Sequence, residues 1–175
     1  PVVGVCGGYQ LLGERLLDAA VEGVGDRETV RGVGLLPVET EFSTEKRVER
    51  ATCAVDGVGP IAGAEGRATG YEIRAGRTRL LDGGAGDGEG NSIATEPLGT
   101  ESVATERVLG TYLHGLFETD AVRDAFVERT FASAGVVRPA GAATDRSPYE
   151  RAADLVADNV DLAAAGLDDL GRSAE

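Results

Sequence analysis

The sequence predicts an α/β fold with a mixed sheet. Three observations carry that expectation. The run Pro1–Val5 is apolar without alternation, the signature of a strand covered on both faces. Leu11, Leu12, Leu16, Leu17 and Val21 then recur at helical intervals. Farther on, short segments rich in Val, Thr, Ile and Tyr alternate with Gly and Pro clusters, as strands do, several of them antiparallel.

Taken in order, the opening plan is strand, tight turn, and a helix from Gln10 to about Val21, which begins an α/β unit. Strands are predicted near 30–42, 50–56, 67–75, 90–96 and 102–114. The stretch "DGGAGDGEGNS" (82–92) invites comparison with phosphate and calcium loops. It lacks the Lys-Ser/Thr of the one and the glutamate spacing of the other, so a flexible acidic loop is expected. Thr119 or Asp120 can cap a helix whose apolar stripe is Val122, Phe126, Val127 and Phe131, with Gly135 ending it. A last helix over 147–166 has Ser147 as cap and Pro148 at its first position, and its Ala-rich face suits the edge of a domain. One domain over 1–170 with a short tail, 171–175, is the resulting organisation.

Composition narrows the function classes. Thirty acidic residues against seventeen basic ones give a net charge of −13, which argues against nucleic-acid and anionic-membrane partners. Lys46 is the only lysine, and the acid is dispersed through the chain; that pattern suggests a salt-adapted surface. Two cysteines, Cys6 and Cys53, fit a reducing cytoplasm better than a disulfide framework. No apolar run approaches the ~20 residues of a membrane-spanning helix. No residue is assigned to a metal. The chain has no methionine and opens on a core strand, which predicts a piece of a longer protein.

The chemistry concentrates at "GVCGG" (4–8), a Gly-x-Cys-x-Gly nucleophile elbow. A nucleophile on a sharp strand-to-helix turn needs small neighbours two residues to either side, and Gly4 and Gly8 supply them. The following helix would favour thiolate at Cys6. A cysteine nucleophile requires a proton-transfer partner, and the sole imidazole, His114 in "VLGTYLHGLFE", sits where a strand meets a loop. Glu118 and Glu72 are both open as a third member.

Three segments, "GVCGGYQLLG", "GYEIRAGRT" and "GTYLHGLFE", occur in the order of, and resemble, the class I glutamine amidotransferase domain of cobyric acid synthases. The related domain of cobyrinic acid a,c-diamide synthase resembles this chain at the elbow but usually lacks the Leu-His-Gly-Leu-Phe ending, and that of lipid II isoglutaminyl synthase is closer at "CGGYQ" and less so after His114. An α/β cysteine hydrolase and a non-catalytic domain stand as readings from other classes. The resemblance implies a flavodoxin-like three-layer fold, N-terminally truncated here. It implies that Cys6 attacks glutamine, that His114 moves the proton, and that Gly7 and Gln10 contact the substrate or its oxyanion. It further implies that ammonia passes to an upstream synthetase half using ATP and Mg²⁺ on adenosylcobyrinic acid a,c-diamide. The chain departs from the family at Arg74, where "GYEIH" is usual.

Overall fold

The computed structural model describes residues 1–22, 26–81, 92–140, 148–162, 164, 166 and 167. The chain divides into two compact units, Pro1–Arg138 and Pro139–Glu175.

The first unit is α/β with two mixed sheets. Strand β1 (Val2–Val5) leads through Cys6 into helix α1 (Gly7–Leu12). Strands β2 (Arg15–Leu17) and β3 (Thr29–Arg31) follow, separated by a 3₁₀ turn at Ala19–Glu22. The long strands β4 (Val38–Ala54) and β5 (Arg67–Leu80) form a ribbon. The short strands β6 (Ala94–Thr95), β7 (Val103–Ala104), β8 (Val108–Thr111) and β9 (Leu113–His114) complete the sheets. Helix α2 (Asp120–Ser133) closes the unit. One sheet runs β1-β8-β7-β6 and the other β3-β2-β4-β5-β9. β1 is a strand, as the apolar opening run predicts, and pairs parallel with β8, with Gly4 opposite Gly110. It is not covered on both faces, since Val2 is exposed, Val3 and Val5 are half-buried, and Gly4 alone is buried.

The opening helix is much shorter than expected. It ends at Leu12, and Leu16 and Leu17 belong to β2 while Val21 lies in the 3₁₀ turn. Gly13 explains the stop. Its backbone is extended, and a Cβ there would stand 2.7 Å from the Val38 carbonyl oxygen, so the chain leaves the helix to run against β4. The leucine spacing satisfied a helix and a strand equally, and the close backbone approach decided between them.

The ribbon is also longer than its sequence suggests. β4 continues through "STEKRVE" because β5 pairs with it, with a register shift between Glu41 and Lys46. In the core, Ile61, Leu98, Leu109, Leu113, Leu116 and Val122 are buried together, with Phe126 of α2 packed against them. Tyr9, Leu36, Val38, Val103, Val108 and Tyr112 form a neighbouring cluster under α1. Thr119 occupies the cap position of α2 without a side-chain cap bond, and Gly135 takes the left-handed conformation beyond its end (φ 64°).

Glu39 on β4 is 2% exposed beneath two guanidiniums, Arg15 and Arg79, which are themselves 53% and 66% exposed. The Arg15 and Arg79 hydrogen bonds hold its carboxyl below the usual carboxylate range against the opposing effect of burial. A lowered carboxyl adds stability above the unfolded-state pKa and loses it as pH falls through the folded one. Glu39→Gln is therefore expected to lower Tm at pH 7 by about 2–4 °C, on the order of 1 kcal/mol because both arginines stay wet. The gap to the parent should narrow progressively as melts are taken below about pH 4, the unfolded carboxyl value, and on through the lower folded one; a gap that does not narrow with acid would contradict the assignment.

The second unit contains helix α3 (Pro148–Asn159), begun by the expected proline. The expected cap Ser147, the acidic stretch 82–91 and the tail 171–175 lie outside the described residues. No helix among the described residues is long and apolar enough to cross a membrane.

Candidate active site

The elbow is built by strain and by one tight contact. Cys6 has φ 53° and ψ −118°, a region that costs a non-glycine residue about 1–3 kcal/mol. Two backbone bonds hold it there: its N–H donates to Thr111 O (3.0 Å), and its carbonyl accepts from Gln10 N–H (3.1 Å). A Cβ on Gly4 would come within 2.5 Å of Leu12 Cδ1 and 2.9 Å of the Gly8 carbonyl, so the turn closes only over a glycine. Gly8 differs from expectation. Its own Cβ would meet nothing within 4 Å, because what packs on Gly4 is the Gly8 backbone.

The Cys6 Sγ is half-buried and donates to Ile73 O at 3.3 Å. Only a protonated thiol can make that bond. Ile73 belongs to β5, and two residues earlier on the same strand Tyr71 pairs with His114 of β9. Their rings stack, with centroids 4.8 Å apart and planes 6° from parallel. Two residues of strand correspond to about 7 Å. β5 thus meets the thiol through the Ile73 carbonyl and pairs with His114 through Tyr71, two residues apart on one strand.

His114 Nε2 is buried and has no hydrogen-bond partner among the described residues. A buried imidazole nitrogen left open is costly, and such orphans persist where a ligand or reacting group completes them.

The two acidic residues left open by the sequence separate here. Because Tyr71 faces His114, the β5 alternation sends Glu72 to the opposite face, opposite Leu113. There Glu72 is buried beside Arg74 (3.8 Å), and burial pushes its carboxyl up against the pull of Arg74. Glu118 ends a 3₁₀ turn, Leu116–Glu118, entered through left-handed Gly115 (φ 78°). Its carboxyl carbon lies 3.5 Å from where a Gly115 Cβ would stand, next door in sequence to His114.

Gly7 is the first residue of α1, where helix geometry leaves the N–H without an intrahelical acceptor. Gln10, one turn on, donates from Nε2 to the Tyr112 hydroxyl (3.3 Å), and its Oε1 lies 3.9 Å from the position of a Gly7 Cβ. Arg74 is 7% exposed on the inner face of β5. Its guanidinium pairs with Glu101 (3.0 Å) and lies 5.6 Å from the centre of the Tyr112 ring. It therefore braces Tyr112 and is turned away from the His114 face.

Sequence reasoning did not single out Ile73, Tyr71 or Tyr112. Tyr71 and Ile73 are in "GYEIR", where strand alternation puts them on one face; Tyr112 is two residues before His114. Among the described residues, no group of three or more His, Cys, Asp or Glu could hold a metal ion.

The site holds a strained thiol, an imidazole with an open nitrogen on a strand paired to β5, a first-turn helix N–H and an amide side chain, groups that suit acyl transfer from an amide. The comparisons agree with that chemistry. The chain is 50% identical over 169 residues to a probable cobyric acid synthase of Halobacterium salinarum, covering 95% of this chain and 31% of that protein. It is 42% identical over 170 residues to a probable cobyric acid synthase of Methanocella arvoryzae (93% and 31% covered). With a cobyric acid synthase of Desulfitobacterium hafniense the identity is 34% over 173 residues (93% and 32% covered). The chain thus spans about a third of the length of the curated relatives it matches. Residues 1–122, which hold both Cys6 and His114, match the CobB/CobQ-like glutamine amidotransferase domain, and the chain belongs to that family.

Proposed function

We propose that this chain is the glutamine-hydrolysing part of a cobyric acid synthase, with Cys6 as nucleophile and His114 as its proton carrier. The observation that supports the reading is that β5 meets the strained Cys6 thiol at the Ile73 carbonyl and pairs through Tyr71 with half-buried His114, whose Nε2 is without a hydrogen-bond partner among the described residues.

In the first half-reaction, Cys6 leaves the Ile73 carbonyl and its thiol proton passes to His114. The sulfur bonds to the carboxamide carbon of glutamine, and the Gly7 N–H faces the developing oxyanion. His114 returns the proton to the amide nitrogen, the C–N bond breaks, and ammonia leaves a glutamyl thioester. In the second, His114 takes a proton from water, the hydroxide attacks the thioester, and glutamate departs as the thiol is restored. Glu118 is the acid we assign to orienting the imidazole, since Glu72 is on the other face. Cys–His pairs depend less on such a third group than Ser–His pairs.

The ammonia would serve ATP- and Mg²⁺-dependent amidation of the carboxylates of adenosylcobyrinic acid a,c-diamide in a separate synthetase half. The named relatives support that assignment, and their length leaves room for such a half.

The glutamine analogue 6-diazo-5-oxonorleucine, applied in high salt to suit the acidic surface, is expected to alkylate Cys6 stoichiometrically. Excess glutamine should protect. Peptide mapping that finds the label on Cys53, or finds no glutamine protection, would overturn the reading.

A further inference from the structure

Tyr112 joins the elbow to the ribbon. Its ring is 1% exposed, in edge contact with Tyr9 (centroids 5.4 Å apart) and under the Arg74 guanidinium. Arg74 is anchored by Glu101, whose other carboxylate oxygen accepts the Thr78 N–H at 2.9 Å and whose carbonyl accepts the Tyr9 hydroxyl at 2.7 Å. The ring is thus gripped on several sides.

Its hydroxyl meets both Gln10 and Thr78. Gln10 Nε2 donates to it, and Thr78 Oγ1 lies 2.6 Å away. Thr78 in turn stands 2.7 Å from Thr40, its directly paired neighbour across the ribbon. With Gln10 donating to the phenol oxygen, the Tyr112 proton can go to Thr78 and the Thr78 proton to Thr40, an order in which the hydroxyls align head to tail. Packing alone would be served by phenylalanine and two valines. The hydroxyl chain has one outlet, the Gln10 carboxamide, one helical turn from the nucleophile.

We propose that Tyr112 is a positioning residue for glutamine hydrolysis. By taking the Gln10 N–H, it leaves Gln10 Oε1, on the Gly7 side, as an acceptor for an N–H of the substrate. The proposal rests on the reading of this site as a glutamine site and adds to it which end of Gln10 meets the substrate and what fixes it.

The test is a double-mutant cycle on the complete protein with glutamine as substrate. Tyr112→Phe keeps the ring and is expected to raise KM for glutamine about tenfold with kcat within about threefold, the pattern of lost binding common to ground and transition states. The rate at which iodoacetamide alkylates Cys6, which needs no glutamine subsite, should stay unchanged. In a Gln10→Ala background, Tyr112→Phe should change KM by less than about twofold, because the group it positions is gone. A merely structural tyrosine would give the same penalty in both backgrounds, and that additivity would overturn the proposal, as would an unchanged KM in Tyr112→Phe. Should Tyr112→Phe fail to fold, Thr78→Val, with the ring retained, is expected to raise KM about threefold and to lose that effect with Gln10→Ala. Glutamine hydrolysis surviving in Cys6→Ala would remove the glutamine-site reading itself. Dependence on Cys6 with an additive cycle would remove the Tyr112 assignment alone.

Discussion

Cys6→Ala is expected to reduce glutamine-dependent amidation by at least about 10³-fold while leaving amidation from added ammonium intact. The magnitude follows from the chemistry: without the thiol no thioester forms, and the residual binding and oxyanion contacts supply only a small part of the catalysis. On the proposed reading the split follows, since ammonia from solution would bypass the elbow. Parallel assays with glutamine and with ammonium chloride, both in high salt, make the comparison. Loss of both activities would mean that the variant is damaged elsewhere, which a melt would reveal; retention of both would remove Cys6 from the mechanism. The strain at Cys6 provides a companion measurement. Alanine retains a Cβ at φ 53° and keeps the strain, whereas Cys6→Gly releases it and should be more stable than Cys6→Ala by about 1–2 kcal/mol in denaturant melts.

Gly110→Ala is expected to destabilise the fold by about 3 kcal/mol or more, a fall in Tm on the order of 6–12 °C. A Cβ at this position would enter the Tyr9 ring and approach Leu36 Cδ1 at 2.8 Å. Tyr9 cannot swing clear, because it is fully buried, bonded through its hydroxyl to Glu101 O, and set against Tyr112. Since Tyr9 lies within α1, the displacement reaches the elbow, and glutamine hydrolysis should fall with stability. Gly8→Ala is the control. With nothing within 4 Å of its Cβ, it should be neutral or gain up to about 1 kcal/mol from the helix preference for alanine. Equal melts for Gly110→Ala and Gly8→Ala would refute the packing argument.

The legible parts of the fold were those whose physics is local. The unbroken apolar run of β1, the small residue required before the elbow, and the proline at the start of α3 each act over a few residues. The errors came where a distant segment decided the outcome. Leu16 and Leu17 had the spacing of a helix, but the close approach of Gly13 to Val38 made them a strand. The middle of β4 is charged and exposed on both faces, so no alternation marked it, and only pairing with β5 makes it continuous.

At the candidate site, Cys6 and His114 were visible because each is chemically scarce in this chain. Choosing between Glu72 and Glu118 depended on whether Tyr71 or Glu72 faces His114, a one-residue matter of register that composition does not encode. The Tyr112 hydroxyl chain was hidden for the same reason. Its members, Gln10, Thr40, Thr78 and Tyr112, are scattered over a hundred residues and meet only in the folded chain.

The parallel pairing of β1 with β8 has a consequence for synthesis. Val5 meets Thr111, and the Cys6 N–H is held by the Thr111 carbonyl, so the elbow has no template until more than a hundred further residues have been made. Contacts of such long sequence separation form late and slowly. The segment that braces Cys6 also carries His114, three residues on, so the strained turn and the candidate partner take shape together, late in synthesis. A nascent chain arrested before residue 111 would hold Cys6 in a relaxed, unshaped turn, and the reactive site would exist only in chains long enough to use it.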